Sequence, residues 1–195
     1  MGRFLLPNVM ILTYFEPMRN IYLIGFMGCG KTYAGKKLAK SMGMDFLDLD
    51  LSIIQSTGFS IQKIFSQGGE TYFREIEAEI LRKTSLLNNH VIACGGGTPC
   101  FHQNIDWINQ SGYSIFLDAS QAFLLRSLKK GKSHRPMINN LLDEELEHFI
   151  SVKLGERRSI YLQAQQILPF DIGKPFLAEL TAMCLKIITS LPAQE

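Results

Sequence analysis

The chain has 195 residues, 46% of them apolar and 19% charged, with a formal net charge of +2. That length suits one domain with a real core, and the balance of charge gives no argument for a nucleic-acid or membrane partner. No apolar run is long enough to span a bilayer, and the cysteines at 29, 94, 100 and 184 form no Cys-x-x-Cys pair, so a reduced cytoplasmic setting is expected.

Residues 1–17 contain two apolar runs, Phe4-Leu5-Leu6 and Val9-Met10-Ile11-Leu12, broken at Pro7-Asn8. No small-residue cleavage site follows, so a signal peptide is not expected. Residues 1–17 read either as a loosely packed N-terminal extension outside the core or as an upstream start that the native message does not use. Residues 18–195 read as a single domain, with Met18 just ahead of its first strand.

Ile21-Tyr22-Leu23-Ile24 is a short apolar run that predicts a buried strand. It leads into Gly25-Phe26-Met27-Gly28-Cys29-Gly30-Lys31-Thr32, which fits Gly-x-x-x-x-Gly-Lys-Ser/Thr, the P-loop. The glycines let successive backbone N–H groups turn inward at phosphate oxygens. Lys31 then reaches the β- and γ-phosphates, and the Thr32 hydroxyl ligates Mg²⁺. The following Ala34–Met42 stretch reads as a helix whose N-terminus favours an anion. In this setting Cys29 is expected to be the most reactive of the four thiols, shielded by nucleotide.

Asp45-Phe46-Leu47-Asp48-Leu49-Asp50 predicts a second strand ending in two carboxylates, placed on one side by the two-residue period. Gly58 and Ser60 stop one segment and cap a short helix, which Gly68-Gly69 interrupts. A longer helix is expected from Glu70 to Leu87, with Phe73, Ile76, Ile80 and Leu87 on one face. On it Arg74 and Glu77 are neighbours at three residues' spacing. They are either a surface ion pair or an arginine that Glu77 holds ready for a ligand anion.

His90–Cys94 predicts a third strand running into Gly95-Gly96-Gly97, where backbone approaches a ligand closely. Tyr113–Asp118 predicts a fourth, and its terminal Asp118 competes with Asp48 for a metal role. A helix over Gln121–Lys129 leads to the basic run Lys129-Lys130-Gly131-Lys132-Ser133-His134-Arg135-Pro136, which reads as a lid bringing cations to bound phosphates. The mobile lid is placed around 129–140. The helix Asp143–Tyr161 carries Leu146, Ile150, Ile160 and Tyr161 on a face shared with Arg157, while Arg158 turns away. An inward arginine needs an anionic partner. Gln166-Ile167-Leu168 predicts a fifth strand, and Phe176–Leu191 a closing amphipathic helix. Strands alternating with helices predict an α/β domain with a parallel sheet.

Taken together, six stretches resemble shikimate kinase, in the nucleoside-monophosphate-kinase-like group of P-loop proteins. They are the P-loop, Phe46–Asp50, Phe73-Arg74-Glu75-Ile76-Glu77, Gly95–Gly97, Arg135-Pro136-Met137-Ile138 and Glu156-Arg157-Arg158-Ser159-Ile160-Tyr161. The likeness covers residues from 18 to 191. It implies a three-layer sandwich with helices on both faces of a five-stranded parallel sheet in the order 2-3-1-4-5. It implies ATP-dependent phosphorylation of the shikimate 3-hydroxyl, with ATP as co-substrate and Mg²⁺ as cofactor, in a cytoplasmic monomer.

The resemblance also implies residue roles. Gly28, Cys29, Gly30, Lys31, Thr32 and Tyr33 would cradle the nucleotide, with Arg135 on the phosphates from the lid. Thr32 would ligate Mg²⁺ directly and Asp48 through water, leaving Asp118 a bystander. Asp50 would bind the substrate hydroxyls and take the proton, with Lys31 and Arg135 completing the catalytic set. Arg74, Gly96 and Arg157 would hold shikimate, with Glu77 orienting Arg74. Gly95, Gly97, Phe65, Phe73 and Pro136 would line the pocket. The chain departs from the family pattern at Ser159, where a proline is usual, and at Tyr33, where a small hydroxyl residue is usual. It also lacks a second lid arginine, a place that Lys129 or Lys130 would fill. A gluconate-type kinase and a silent nucleotide-binding module are the rival readings.

Overall fold

The computed structural model describes residues 19–131, 138, 141–173 and 176–189. Its elements run β1 (Asn20–Ile24), α1 (Lys31–Met42), β2 (Asp45–Asp48), α2 (Leu49–Thr57), α3 (Ile61–Lys83), β3 (His90–Ala93), α4 (Asn104–Ser111), β4 (Gly112–Ala119), α5 (Gln121–Lys130), α6 (Asp143–Tyr161), β5 (Gln166–Phe170) and α7 (Phe176–Thr189). Short 3₁₀ turns follow α3 at Thr84–Leu86 and precede α4 at Thr98–Cys100.

The five strands pair in parallel, in the order β2-β3-β1-β4-β5. This is the order that the family resemblance implies. β1 is the central strand, and all five of its residues are buried. A near-continuous apolar run suits a strand covered on both faces. Its one polar residue, Asn20, is satisfied. Its amide donates to Thr84 O at 3.0 Å and Leu87 O at 2.8 Å, and its Oδ1 accepts from His90 N at 3.0 Å. That residue ties the start of β1 to the end of α3 and the start of β3, since a buried amide left unpaired would be costly.

β1 connects across the sheet to β2, whereas its neighbour β3 connects the opposite way to β4. The loops after these adjacent strands therefore part, and a crevice opens at the C-terminal edge of the sheet. The core below it is apolar, with Leu23, Ile24, Ile92, Ile115 and Phe116 from the middle strands and Leu38, Ile53, Leu81, Ile108 and Ile150 from the helices.

Several boundaries differ from the sequence reading. The second strand stops at Asp48, because Asp48 caps a new helix there and Leu49-Asp50 turn into α2. Neither α2 nor the short α4 is announced by a long apolar period. Gly69, at φ 72° and ψ −168°, puts the expected break into α3. That helix ends at Lys83, where Arg82 and Lys83 suit its last turn, rather than at Leu87. The N-terminal extension 1–17 and lid residues 132–137, 139 and 140 lie outside the described residues.

Candidate active site

The loop Gly25–Gly30 leaves β1 and delivers the chain to α1. Gly25 has φ 141°, and a Cβ there would lie 2.8 Å from Leu117 O on β4, so the loop can hug the sheet only with glycine. α1 starts at Gly30 without a side-chain cap, so its first N–H groups stay open toward an anion. Lys31, the first helical residue, folds its ammonium over the loop and donates to Gly25 O at 2.8 Å and Phe26 O at 3.0 Å. Ser127 of α5 pins the loop from the far side by donating to Gly28 O at 2.7 Å. Cys29 is fully buried. The Lys31 ammonium does reach Cys29 Sγ at 3.8 Å, as the local setting implies, but the sulfur packs inward at the Gly25 backbone, where burial closes it to a reagent.

Thr32 is one residue further along α1, and its hydroxyl donates to Asp48 Oδ2 at 2.7 Å. The other oxygen of Asp48 accepts from Asp50 N and Leu51 N, which caps α2. Asp48 and Asp50 do reach one cavity, but not by strand alternation. Asp48 comes from the end of an extended segment and Asp50 from the first turn of a helix. The cavity holds about 340 Å³ and is lined by Gly28, Gly30, Lys31, Thr32, Tyr33, Asp48, Asp50, Gly95, Gly96 and Ser127, among others.

Asp50 is exposed and is one of the residues that line this cavity. Enclosure there, with the like charges of Asp48 and Glu77, raises its carboxyl pKa to about 6. Lys31 and Arg74 pull the other way. The group thus sits where a base useful near neutrality should sit.

Arg74, Glu77, Phe65, Phe73 and Arg157 are not on that cavity's wall; Arg74 and Glu77 stand beside Gly95 and Gly97. Glu77 is 1% exposed and Arg74 8%. The Arg74 guanidinium donates through Nη1 to Glu77 Oε2 at 2.6 Å. Its other edge reaches the exposed Glu70 at 3.1 Å. The pair is therefore buried rather than a surface ion pair. Its face is fixed by rings: Phe101 lies 4.3 Å and Phe73 5.0 Å from the guanidinium carbon, and Phe73 stacks on Phe65. A Cβ at Gly97 would run into Arg74 Nη2, so the third glycine makes room for the arginine.

Arg157 lies over the Phe26 ring and against Tyr161. Among the described residues no carboxylate pairs with it. Arg158 instead forms a two-pronged pair with Asp118, at 2.6 and 2.7 Å. That pairing occupies the Asp118 carboxylate. Lid residues Arg135 and Pro136 fall outside the described residues.

The hydrogen-bonding or packing roles of four residues in this region escaped the sequence reading, although that reading places Tyr161 itself beside Arg157. The Thr98 hydroxyl donates to Glu77 Oε1 at 2.6 Å. The Tyr161 hydroxyl donates to the Gly96 carbonyl, and burial raises its pKa. Phe101 and Ser127 act as described above. Thr98 follows the triple glycine directly, and Tyr161 is one turn from Arg157 in the same stripe, so both had a positional signal. Phe101 and Ser127 had none.

A family model described as shikimate kinase matches residues 27–181. Shikimate kinase of Phocaeicola vulgatus is 40% identical over 154 residues, covering 79% of this chain and 88% of that protein. Shikimate kinase of Flavobacterium psychrophilum is 35% identical over 161 residues, covering 82% and 94%. The crystal structure of shikimate kinase from Bacteroides thetaiotaomicron superposes with a TM-score of 0.81 at 34% identity, over 89% of this chain and 99% of that one. The solved structure of shikimate kinase from Acinetobacter baumannii in complex with shikimate superposes with a TM-score of 0.77 at 30% identity, over 90% of this chain and 96% of that one. The chain belongs to the shikimate kinase family.

Proposed function

We propose that the chain transfers the γ-phosphoryl group of ATP to the 3-hydroxyl of shikimate, giving shikimate 3-phosphate and ADP on the route to chorismate and the aromatic amino acids. One observation carries the assignment of residues. Asp50 shares a cavity wall with Lys31 and Thr32, while a buried Arg74–Glu77 pair closes on the glycine segment beside it.

In this reading the P-loop amides and Lys31 hold the β- and γ-phosphates. The 3-hydroxyl oxygen attacks the γ-phosphorus, the bond to the bridging oxygen of ADP breaks, and the hydroxyl proton passes to Asp50. Arg74 takes the substrate carboxylate on the edge that now meets the exposed Glu70, and Arg157 joins from α6. Tyr161 steadies the Gly96 backbone that faces the substrate. Arg135 would bring further positive charge to the phosphates from the lid, and Pro136 would border the pocket. Catalysis is then chiefly positioning and neutralisation of charge.

Thr32 and Asp48 fit Mg²⁺, since two hard oxygen donors stand 2.7 Å apart on the cavity wall. When bound, the ion would neutralise charge on the phosphates. The same reading makes the chain a cytoplasmic monomer. Coupled ADP release with shikimate, gluconate and nucleoside monophosphates as acceptors tests the assignment. Turnover with shikimate alone is expected, and comparable turnover with gluconate or a nucleotide would overturn it.

A further inference from the structure

Glu77 has two carboxylate oxygens and almost no contact with water. Oε2 is taken by Arg74. Oε1 accepts from the hydroxyl of Thr98, at 2.6 Å across 21 residues of chain. Thr98 is itself completely buried and held at two more points. Its N–H donates to Gly95 O at 3.2 Å, and its carbonyl accepts from Asn104 Nδ2 at 2.8 Å. A Cβ on Gly95 would lie 2.9 Å from both Glu77 Oε1 and Thr98 Oγ1, and 3.0 Å from Asp50 Oδ1. The carboxylate that orients Arg74 thus meets the hydroxyl of Thr98 on the ground where the base stands.

We infer that Thr98 is a positioning residue for the substrate clamp. It fixes the rotamer of Glu77, and through Glu77 the Nη1 edge of Arg74, so that the other edge is presented to the shikimate carboxylate. The physical reason is the cost of an unpaired oxygen. A carboxylate buried with one oxygen unsatisfied either turns away or draws water in, and each outcome misplaces the arginine. Among the described residues Thr98 is the side-chain hydroxyl that donates to Oε1, since Asp50 is itself an acceptor and Gly95 brings no side chain. A hydrogen bond of this kind to a charged group contributes enough to change binding by about ten-fold or more.

This inference rests on the reading of Arg74 as the clamp for the substrate carboxylate, so the experiment separates the two. Thr98→Val keeps the shape and removes the donor. Its KM for shikimate is expected to rise about ten-fold, with KM for ATP within two-fold of the wild type. Thr98→Ser restores the hydroxyl and is expected to restore KM for shikimate. Thr98→Ala gives the same comparison should Thr98→Val not fold. In the Glu77→Ala background, Thr98→Val is expected to add little, because the oxygen it served is gone, and a full ten-fold rise in that background overturns the inference. An unchanged KM for shikimate in Thr98→Val overturns the inference, as does an equal rise for both substrates or a failure of Thr98→Ser to restore it. Arg74→Lys is the control: if it leaves KM for shikimate unchanged, the clamp reading itself fails, whatever Thr98 does.

Discussion

The two sides of the crevice are built on different principles. The side proposed for the nucleotide comes from one run of chain, Gly25 to Tyr33, with Asp48 and Ser127 touching it. Its working groups are largely backbone N–H groups and one helix N-terminus. The side proposed for shikimate is assembled from α2, α3, the turn at Thr98, and α6, and its groups are mostly side chains that hold one another, with Tyr161 holding the Gly96 carbonyl. Backbone donors survive a change of side chain as long as the loop keeps its path. A chain of side chains does not, because each member is the partner that keeps the next one satisfied. The substrate side should therefore be the more fragile to substitution, and most of its losses should fall on shikimate rather than ATP.

The largest effect tests the residue standing between the two sides. Asp50→Asn keeps shape but removes the basic group, and kcat should fall by roughly 10²–10⁴-fold with ATP affinity close to wild type. The pH profile gives an independent check. A base must be ionised, and the Asp50 carboxyl is raised to about 6 by its enclosure and by Asp48 and Glu77. The wild-type kcat/KM should thus rise with pH up to about 6 and level off above it, and Asp50→Asn should lose that limb. Stability has the opposite sign. A carboxyl raised on folding costs stability as pH climbs from its unfolded value through about 6, so Asp50→Asn should melt higher than wild type at pH 8. An acid limb that persists in Asp50→Asn would assign the proton to another group.

The adjacent arginines of α6 sharpen the comparison within one helix turn. Arg157 faces Phe26 and Tyr161, whereas Arg158 pairs with Asp118. Arg157 is half-buried, so Arg157→Ala should weaken shikimate by about 1.5–3 kcal/mol, the range for a hydrogen bond to a charged group, and spare ATP. Arg158→Ala should spare both substrates. Its ion pair is partly exposed, so its loss should cost no more than about 1 kcal/mol, or about 2–4 °C in melting temperature. Equal losses of both substrates in Arg157→Ala would make that residue structural.

The same contrast explains what the sequence discloses. Gly25–Thr32 reads directly as a phosphate loop because its chemistry is contiguous and its glycines are needed where they stand. The five strands and their alternation with helices are legible for the same reason, through local apolar runs such as Ile21–Ile24. Asp50 is legible as a functional acid but not in its geometry, because the turn from β2 into α2 hangs on Asp48 capping the two N–H groups after it. Phe101 and Ser127 are illegible as working residues, since each acquires its role from a partner brought near only by folding, and Thr98 is marked only by its place after the triple glycine. The pair Arg74–Glu77 lies between these cases: its spacing shows contact, and only burial separates a surface ion pair from a clamp.

The smallest effect concerns the cysteines, where local sequence misleads. Cys29 sits beside Lys31 and ahead of a helix N-terminus, a setting that by itself argues for a reactive thiolate. Folding turns its side chain into the core and leaves it fully buried, with Cys94 and Cys184 buried as well. Cys100 alone of the four has some exposure, and it stands on the substrate side, close enough to Arg74 and Arg157 that both act on its thiol. Enclosure raises that thiol's pKa, so it should react slowly. Limited iodoacetamide treatment read by peptide mass spectrometry should therefore mark Cys100 first. Shikimate should slow the labelling a few-fold, because it would lie between the same two arginines, and ATP should slow it less. Faster labelling at Cys29, suppressed by ATP, would show instead that the loop opens enough in solution for the local setting to prevail, and the phosphate side would then be the less rigid of the two.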